Sequence, residues 1–321
     1  MGLPKKGLNL NKFKKPLNAK ISPISTAPKI PRFAQIDKRK NRIIEDIENI
    51  PSLPSVIFEI TKLANSPTSS ARDIEGKMKD DQVLTAKILK IANSPYYALN
   101  DKATTVTRAV ALLGFSALKS IVIASSCSDT LNKDLGIYGF AENGLWKHSL
   151  ACATVSKEIG KKIFHVNDKY EEELFIAGLI HDIGKIAIAP VLKLNKDEFD
   201  KAIEDPAITQ LEQAEKLITG IDHTEVGDKL ITKWKLSDML RSAITNHHND
   251  PENKFDGIVH LADWLSTENK IGLVDDYPWH GPLSDALLTK LGISQDNFQK
   301  LQDYINKFLN SEDGSPFDEL M

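Results

Sequence analysis

His181 and Asp182 stand side by side in one of the most apolar stretches of the chain, Leu174-Phe-Ile-Ala-Gly-Leu-Ile-His-Asp-Ile-Gly-Lys-Ile-Ala-Ile188. Taking an imidazole and a carboxylate out of water is costly unless each finds a partner. The chain offers partners on both sides: His148 upstream, then His223, His247, His248 and Asp263 downstream. Five of the eight histidines fall into this set. Imidazole and carboxylate together suit a divalent transition ion such as Fe, Mn or Zn. Lys185 lies four residues after His181 and three after Asp182, so one helical face can carry all three. Its ammonium can neutralise phosphate charge or balance the carboxylates.

Each residue also has a plainer reading. His148 follows Trp146-Lys147 on an amphipathic helix, where a histidine is commonly just surface or core. His181-Asp182 fits a structural pair. His247-His248 opens the polar loop Asn249-Asp-Pro-Glu-Asn-Lys254, which leaves one of the two solvated. His165, His260 and His280 match no pattern, although His260 is a reserve ligand three residues before Asp263. Taken as a set, the residues point the other way. Asp263 sits in Ile258-Val-His-Leu-Ala-Asp-Trp-Leu265, which reads as mostly buried, so its carboxylate needs a cation or several donors. His223 falls in the first turn of a helix, where the macrodipole favours neutral imidazole, the ligand form.

The elements that must hold these groups are all helical. Leu53, Val56, Ile57, Ile60, Leu63 and Ala64 repeat at helical spacing, with Pro54 in the first turn. Residues 81–93 repeat the pattern until Asn93-Ser-Pro stops it. A short helix over Thr105–Leu113 ends at Gly114, and another runs over Ala117–Leu131. Further on, Ala141–Ile163 carries His148, and Glu171–Ile180 leads into the His-Asp pair. Asp222-x-x-Glu225 reads as a capping box opening a helix through Lys233. Ser237 caps the helix that reaches His247-His248, and Gly257–Glu268 carries Asp263. A connector, Asp275–Pro282, precedes two last helices at about 283–291 and 295–309. No alternation supports a sheet, so the expected class is all-α.

Charge and composition set the remaining bounds. Residues 1–42 hold twelve of the 41 Lys and Arg residues and one of the 44 Asp and Glu residues, so the rest of the chain carries a formal charge of -14. Residues 1–40, with five prolines and two aromatics, read as a disordered basic tail or solvated linker. Cys127 and Cys152 lie in apolar helical surroundings with no Cys-x-x-Cys, which suits reduced, buried thiols and a cytoplasmic protein. No uninterrupted apolar run reaches the length of a membrane span, so no transmembrane segment is expected. Lys5-Lys6 is followed by no apolar region of a secretion signal.

The pattern resembles the HD superfamily of metal-dependent phosphohydrolases, in which a His, a His-Asp pair and a distal Asp ligate the metal; His148, His181-Asp182 and Asp263 match them. Three upstream blocks narrow the resemblance to the HD-related output domain, HDOD: Ile50-Pro-Ser-Leu-Pro-Ser-Val-Ile57, Asp81-Gln-Val-Leu-Thr-Ala-Lys-Ile-Leu-Lys-Ile-Ala-Asn-Ser-Pro-Tyr-Tyr97 and Thr105-Val-Thr-Arg-Ala-Val-Ala-Leu-Leu-Gly-Phe115. The resemblance runs from Ile43 to Glu268, about 70% of the chain. It implies an N-terminal helical bundle over 43–135 packed on an HD-like helical half over 136–268, with helices at 283–310 completing the domain. His223, His247 and His248, with Asp182 as a bridge, match further ligands of the HD-GYP branch, which hydrolyses cyclic di-guanylate. Two metals sharing a carboxylate can activate water and clamp phosphate oxygens. The sequence departs from that branch twice. No Gly-Tyr-Pro follows His247-His248-Asn249, and Gly144 stands four residues before His148, where many members carry a Glu ligand.

The expected function is a regulatory module that binds a metal or nucleotide and acts through signalling proteins. The alternative is a metal-dependent phosphohydrolase of a nucleotide or cyclic dinucleotide, with Asp182 and Lys185 as its catalytic residues. Nucleic-acid binding through the basic tail ranks last, because basic residues are sparse on the helices of the body and aromatic interleaving is absent.

Overall fold

The computed structural model describes residues 32–309 apart from 51–58, 61, 64–65, 67, 79–80, 95–96, 98 and 275–282. The blocks around Pro54 and Asp275–Pro282, and residues 1–31, therefore lie outside the described residues. Among the described residues there is no strand, only one antiparallel bridge between Phe140 and Leu273. The helices are α1 (Arg32–Asn49), α2 (Ala71–Met78), α3 (Gln82–Ala92), α4 (Val106–Leu131), α5 (Gly144–Lys162), α6 (Asp168–Ile180) and α7 (Lys185–Leu194). They continue as α8 (Lys196–Ile203), α9 (Leu211–Thr219), α10 (His223–Lys233), α11 (Asp238–Asn246), α12 (Lys254–Glu268), α13 (Asp285–Leu291) and α14 (Gln295–Leu309). The all-α expectation holds.

Short-range signals set most helix ends. Thr105 accepts from the Arg108 amide, Asn167 from Tyr170 and Ser237 from Leu240. Asp222 and Glu225 complete the capping box at the start of α10. The two helices expected on either side of Gly114 form one long element broken there, where Gly114 leaves the helical region with φ 84° and ψ 172°.

One expectation needs correction. Residues 32–40, assigned to the disordered tail, form the first half of α1, and α1 packs on α7, α9 and α10. Ile43 and Ile47 are buried. The Arg39 guanidinium donates to both Glu198 carboxylate oxygens, at 3.0 and 2.8 Å, and to the Ile218 carbonyl at 3.0 Å. At the other end, Lys233 Nζ donates to the carbonyls of Ile47, Glu48 and Ile50 at 2.9, 2.7 and 3.0 Å, satisfying acceptors that the last turn of α1 leaves open. The proline-rich composition upstream had masked this amphipathic start.

α6 is the central helix. Every residue from Glu171 to Ile180 is buried, as expected of a helix packed on all sides by α4, α5, α11 and α12. Two of its three consecutive glutamates are paired with lysines of neighbouring helices. Lys119 of α4 pairs with Glu173 at 2.9 Å, and Lys157 of α5 pairs with Glu172 at 2.5 Å. The stretches Val106–Leu131 and Asp168–Leu194 are, after all, long and apolar enough for a membrane span, but 56% and 89% of their apolar windows are buried inside the fold. They are its core. Cys127 and Cys152 are free and buried, and burial pushes the Cys127 thiol up to about 12.

Candidate metal centre

Five helices deliver the ligand set to one place. His148 lies on the second turn of α5, and His181-Asp182 terminates α6 in the tight turn that leads to Lys185, the first residue of α7. His223 opens α10, His247 ends α11 with His248 beside it, and Asp263 comes from α12. The turn after the His-Asp pair sits directly on the start of α10. A Cβ on Gly184 would lie 1.9 Å from the His223 carbonyl oxygen, so only glycine lets these segments approach.

The potential ligand atoms fall into two groups, each lying mutually within 4.8 Å: His148, His181 and Asp263, and Asp182, His223, His247 and His248. All seven residues proposed from the sequence are thus brought together. His148 Nε2 lies 2.9 Å from Asp263 Oδ1, and His181 Nε2 lies 3.5 Å from the same oxygen. His181 Nε2 is also 3.4 Å from Asp182 Oδ2, which joins the groups. On the other side, Asp182 Oδ1 faces His223 Nε2 at 3.5 Å and His247 Nε2 at 3.6 Å. All are buried except His248, the half-buried member of the expected solvated pair.

The hydrogen bonds behind the rings fix which nitrogen faces inward. His181 Nδ1 lies 2.7 Å from the Gly178 carbonyl, His247 Nδ1 lies 2.7 Å from the Ile244 carbonyl, and His223 Nδ1 lies 2.7 Å from Glu215 Oε2. A carbonyl can only accept, so His181 and His247 carry a proton on Nδ1 and, when neutral, turn an Nε2 lone pair to the centre. Buried His181 Nε2 and Asp182 Oδ1 have no hydrogen-bond partner among the described residues. His223 Nε2 and His247 Nε2 sit 3.3 Å apart. Converging lone pairs and an orphaned carboxylate oxygen are the arrangement that a divalent cation satisfies, so the residues fit a metal.

Without a cation the charges must balance among themselves. Burial opposes the charged form of Asp182, but the Lys185 ammonium, 2.5 Å from Oδ2, and His181 outweigh it and hold the carboxyl well below its usual range. Burial likewise opposes charge on Asp263, yet His148 and His181 hold it well below that range. Burial also disfavours charge on His181, but Asp182 raises it well above its ordinary value. His247 is pushed down to about 4 by burial, with His181 and His223 adding repulsion. His223 departs from the expected neutral form: burial and the Lys185 ammonium lower it, but the Glu215 carboxylate outweighs them and raises it. A bound cation reverses this preference.

Sequence reasoning missed the carboxylates of α9. Glu215, fully buried, accepts from the His223 backbone amide at 2.9 Å, holds the His223 ring and accepts the Tyr138 hydroxyl at 2.6 Å. Glu212 reaches to 3.2 Å from His248 Nε2. A signal existed: Leu211, Ala214, Glu215 and Ile218 form one apolar stripe at helical spacing, with a glutamate in a core position. Lys185 Nζ is also flanked by the Tyr138 and Phe140 rings, 5.8 and 5.5 Å from their centroids. His260 and His165 lie outside both groups, and His280 lies outside the described residues.

Gly144 has a reason of its own. A Cβ there would lie 2.2 Å from the Gly272 carbonyl oxygen, and a Cβ on Gly272, whose φ is +74°, would lie 2.1 Å from the Gly144 carbonyl oxygen. Two glycine backbones cross here, beside the bridge of Phe140 to Leu273, and no side chain fits at position 144.

Comparison with known proteins agrees with this architecture. The HDOD domain model matches residues 50–250. A protein of Treponema pallidum is 22% identical over 231 residues, 69% of this chain and 43% of that protein, so the chain spans less than half of its relative's length. Among solved structures, a candidate phosphohydrolase from Shewanella amazonensis superposes with a TM-score of 0.65 at 23% identity, over 88% of this chain and 99% of that one. An HDOD domain protein from Geobacter sulfurreducens gives 0.59 at 23%, covering 89% and 92%. A candidate signal transduction protein from Marinobacter aquaeolei gives 0.63 at 19%, covering 85% and 62%. At these identities the likeness is one of fold.

Proposed function

The chain belongs to the HDOD family, and we propose that it is a signalling module whose metal-holding half communicates with partner proteins instead of turning over a substrate. The observation that carries this reading is the state of Lys185. A phosphohydrolase would need that ammonium to meet a phosphate. Here it is buried, paired with Asp182 at 2.5 Å and enclosed by Tyr138 and Phe140. Glu212 adds a carboxylate beside His248, the most open part of the centre, where an incoming phosphate would meet like charge.

His148, His181 and Asp263 would hold one divalent ion, and Asp182, His223, His247 and His248 a second. Fe, Mn or Zn would suit these donors. Such an ion, when bound, supplies Lewis acidity and neutralises the clustered carboxylates. The chain's own contribution is orientation: the Gly178 and Ile244 carbonyls and Glu215 hold three imidazoles with Nε2 inward. A metal or a nucleotide is the signal this module would register, and a protein the recipient.

One observation favours the alternative, a phosphohydrolase of a nucleotide or cyclic dinucleotide. Asp182 presents one oxygen to each ligand group, as a two-ion hydrolytic centre requires, with Lys185 adjacent. The deciding experiment incubates metal-loaded protein with cyclic di-guanylate, other cyclic dinucleotides and nucleoside mono- and triphosphates. The module reading expects metal in the purified protein and no substantial hydrolysis. Robust turnover that disappears in both Asp182→Asn and Lys185→Ala would replace it with the enzyme.

A further inference from the structure

Away from the metal centre, the end of α5, the start of α12 and the pair α13–α14 enclose a groove of about 700 Å3. Its lining combines apolar side chains, including Phe164, Leu291 and Ile293, with three lysines: Lys162, Lys254 and Lys300. Among the described residues, no carboxylate lines it. Lys254 Nζ stands 5.4 Å from the Phe164 ring centroid, and Tyr304 at the rim donates its hydroxyl to Glu158 at 3.0 Å. Ile163 and Tyr304 each leave 40% of their surface exposed. A cationic rim over an apolar floor selects an occupant that is acidic and apolar at once.

The chain carries such a segment immediately after a helix that lines the groove. α14, which supplies Lys300 and Tyr304, ends at Leu309. Residues 310–321 follow: Asn-Ser-Glu-Asp-Gly-Ser-Pro-Phe-Asp-Glu-Leu-Met. They hold four carboxylates, no lysine, arginine or histidine, and the apolar residues Phe317, Leu320 and Met321. We propose that residues 310–321 dock into this groove of their own chain, with Phe317 and Leu320 on the floor and the carboxylates against Lys162, Lys254 and Lys300.

Reach permits it. Leu309 lies nine residues beyond Lys300, about 14 Å along the helix axis. Twelve residues span up to about 40 Å when extended, and Asp313-Gly314 is a reversal signal. A tether this short gives an effective concentration on the order of millimolar, so weak contacts suffice. The basic stretch 1–42 is excluded as occupant by charge. The groove also includes Lys254, the first residue of the helix that carries Asp263, so docking would bear on α12.

The test uses the full chain, with zero-length carbodiimide cross-linking at low micromolar concentration and mapping by mass spectrometry. Links from Glu312, Asp313, Asp318 and Glu319 to Lys162, Lys254 and Lys300 should dominate within one chain. They should fall about tenfold in F317S/L320S, the loss expected for about 1.4 kcal/mol of contact. An unchanged melting temperature in F317S/L320S checks that the fold is retained. Links spread over Lys270, Lys290 and Lys307, or unchanged in F317S/L320S, would overturn the proposal. So would links found only between isotopically distinct copies, which would make the occupant a second molecule. As a second readout, carboxypeptidase should remove residues 310–321 about tenfold faster in K162E/K254E/K300E than in the unchanged chain, for the same free-energy difference. Equal rates in a variant of unchanged melting temperature would count against the docked tail.

Discussion

The two halves of this molecule bury different things. Among the described residues of 43–135, the only buried polar side chains are Ser94, Ser120 and Ser125, and no charge is buried. Over 136–268 the buried set includes four histidines, four aspartates, four glutamates and a lysine. The first half gains stability as ordinary cores do, by removing apolar area from water. The second spends part of its interior on ionisable groups that would each be costly alone. An ion pair, Lys119–Glu173, crosses between them. An apolar core thus adjoins a half whose interior gathers a His/Asp cluster that could hold a cation.

Substitutions can break that comparison, the largest effect first. Asp182→Ala should take metal content from about one equivalent or more to below about a tenth, because both ligand groups lose a donor. Leu118→Ala, in the apolar half, should leave metal content unchanged while costing about 2–5 kcal/mol of stability. If elemental analysis finds metal in the first variant, or loss of it in the second, the division of labour is wrong. Lys185→Met should cost about 3–5 kcal/mol in denaturant unfolding of the metal-free protein, since Asp182 is left buried without its ammonium. A neutral outcome would mean that Lys185 was available for another partner.

Acidity separates the halves next. In metal-free protein His247 has its folded pKa lowered to about 4 from an ordinary 6.5. The unfolded chain then binds more protons between these values, so stability is present above pH 6.5 and is lost as pH falls toward 4, by about 3 kcal/mol at most. His248, lowered well below its ordinary value by burial and His247, adds to the same limb. His181 and His223 are raised, so their contribution is complete below pH 6.5 and is lost as pH rises through their folded values. Metal-free stability should therefore peak near pH 6.5 and fall on both sides. Loading metal should erase the alkaline fall, because it binds the deprotonated ligands. An alkaline limb that ignores metal would remove these imidazoles from the centre.

The two smallest effects sharpen the picture. Glu215→Gln should weaken metal binding about 10–100-fold without abolishing it, as expected of a group that orients a ligand. Arg39→Ala should cost about 1 kcal/mol, modest because its Glu198 partner is half-exposed. Melting that does not shift would detach α1 from the body.

What was legible in the sequence was local. Capping residues, the stop at Gly114 and the His-Asp pair declare themselves within a few positions, and His148, His223, His247, His248 and Asp263 stand out as residue types that could share a cation. Contacts made by distant backbone were not legible. The glycine at 144 read as a missing ligand, whereas its reason lies 128 residues away at Gly272. Glu215 was overlooked because its meaning depends on His223 turning an Nδ1 toward it. The start of α1 was hidden because proline-rich composition upstream outweighed a weak stripe of Ile36, Ile43 and Ile47.

The crossing of Gly144 and Gly272 has an evolutionary consequence. Many members of the HD-GYP branch that the sequence resembles carry a glutamate where Gly144 stands. Acquiring it here is not a single mutational step: any side chain at 144 strikes the 272 carbonyl, and residue 272 occupies a backbone conformation that disfavours replacement. The segment around 272 would have to be remodelled before position 144 could carry a ligand.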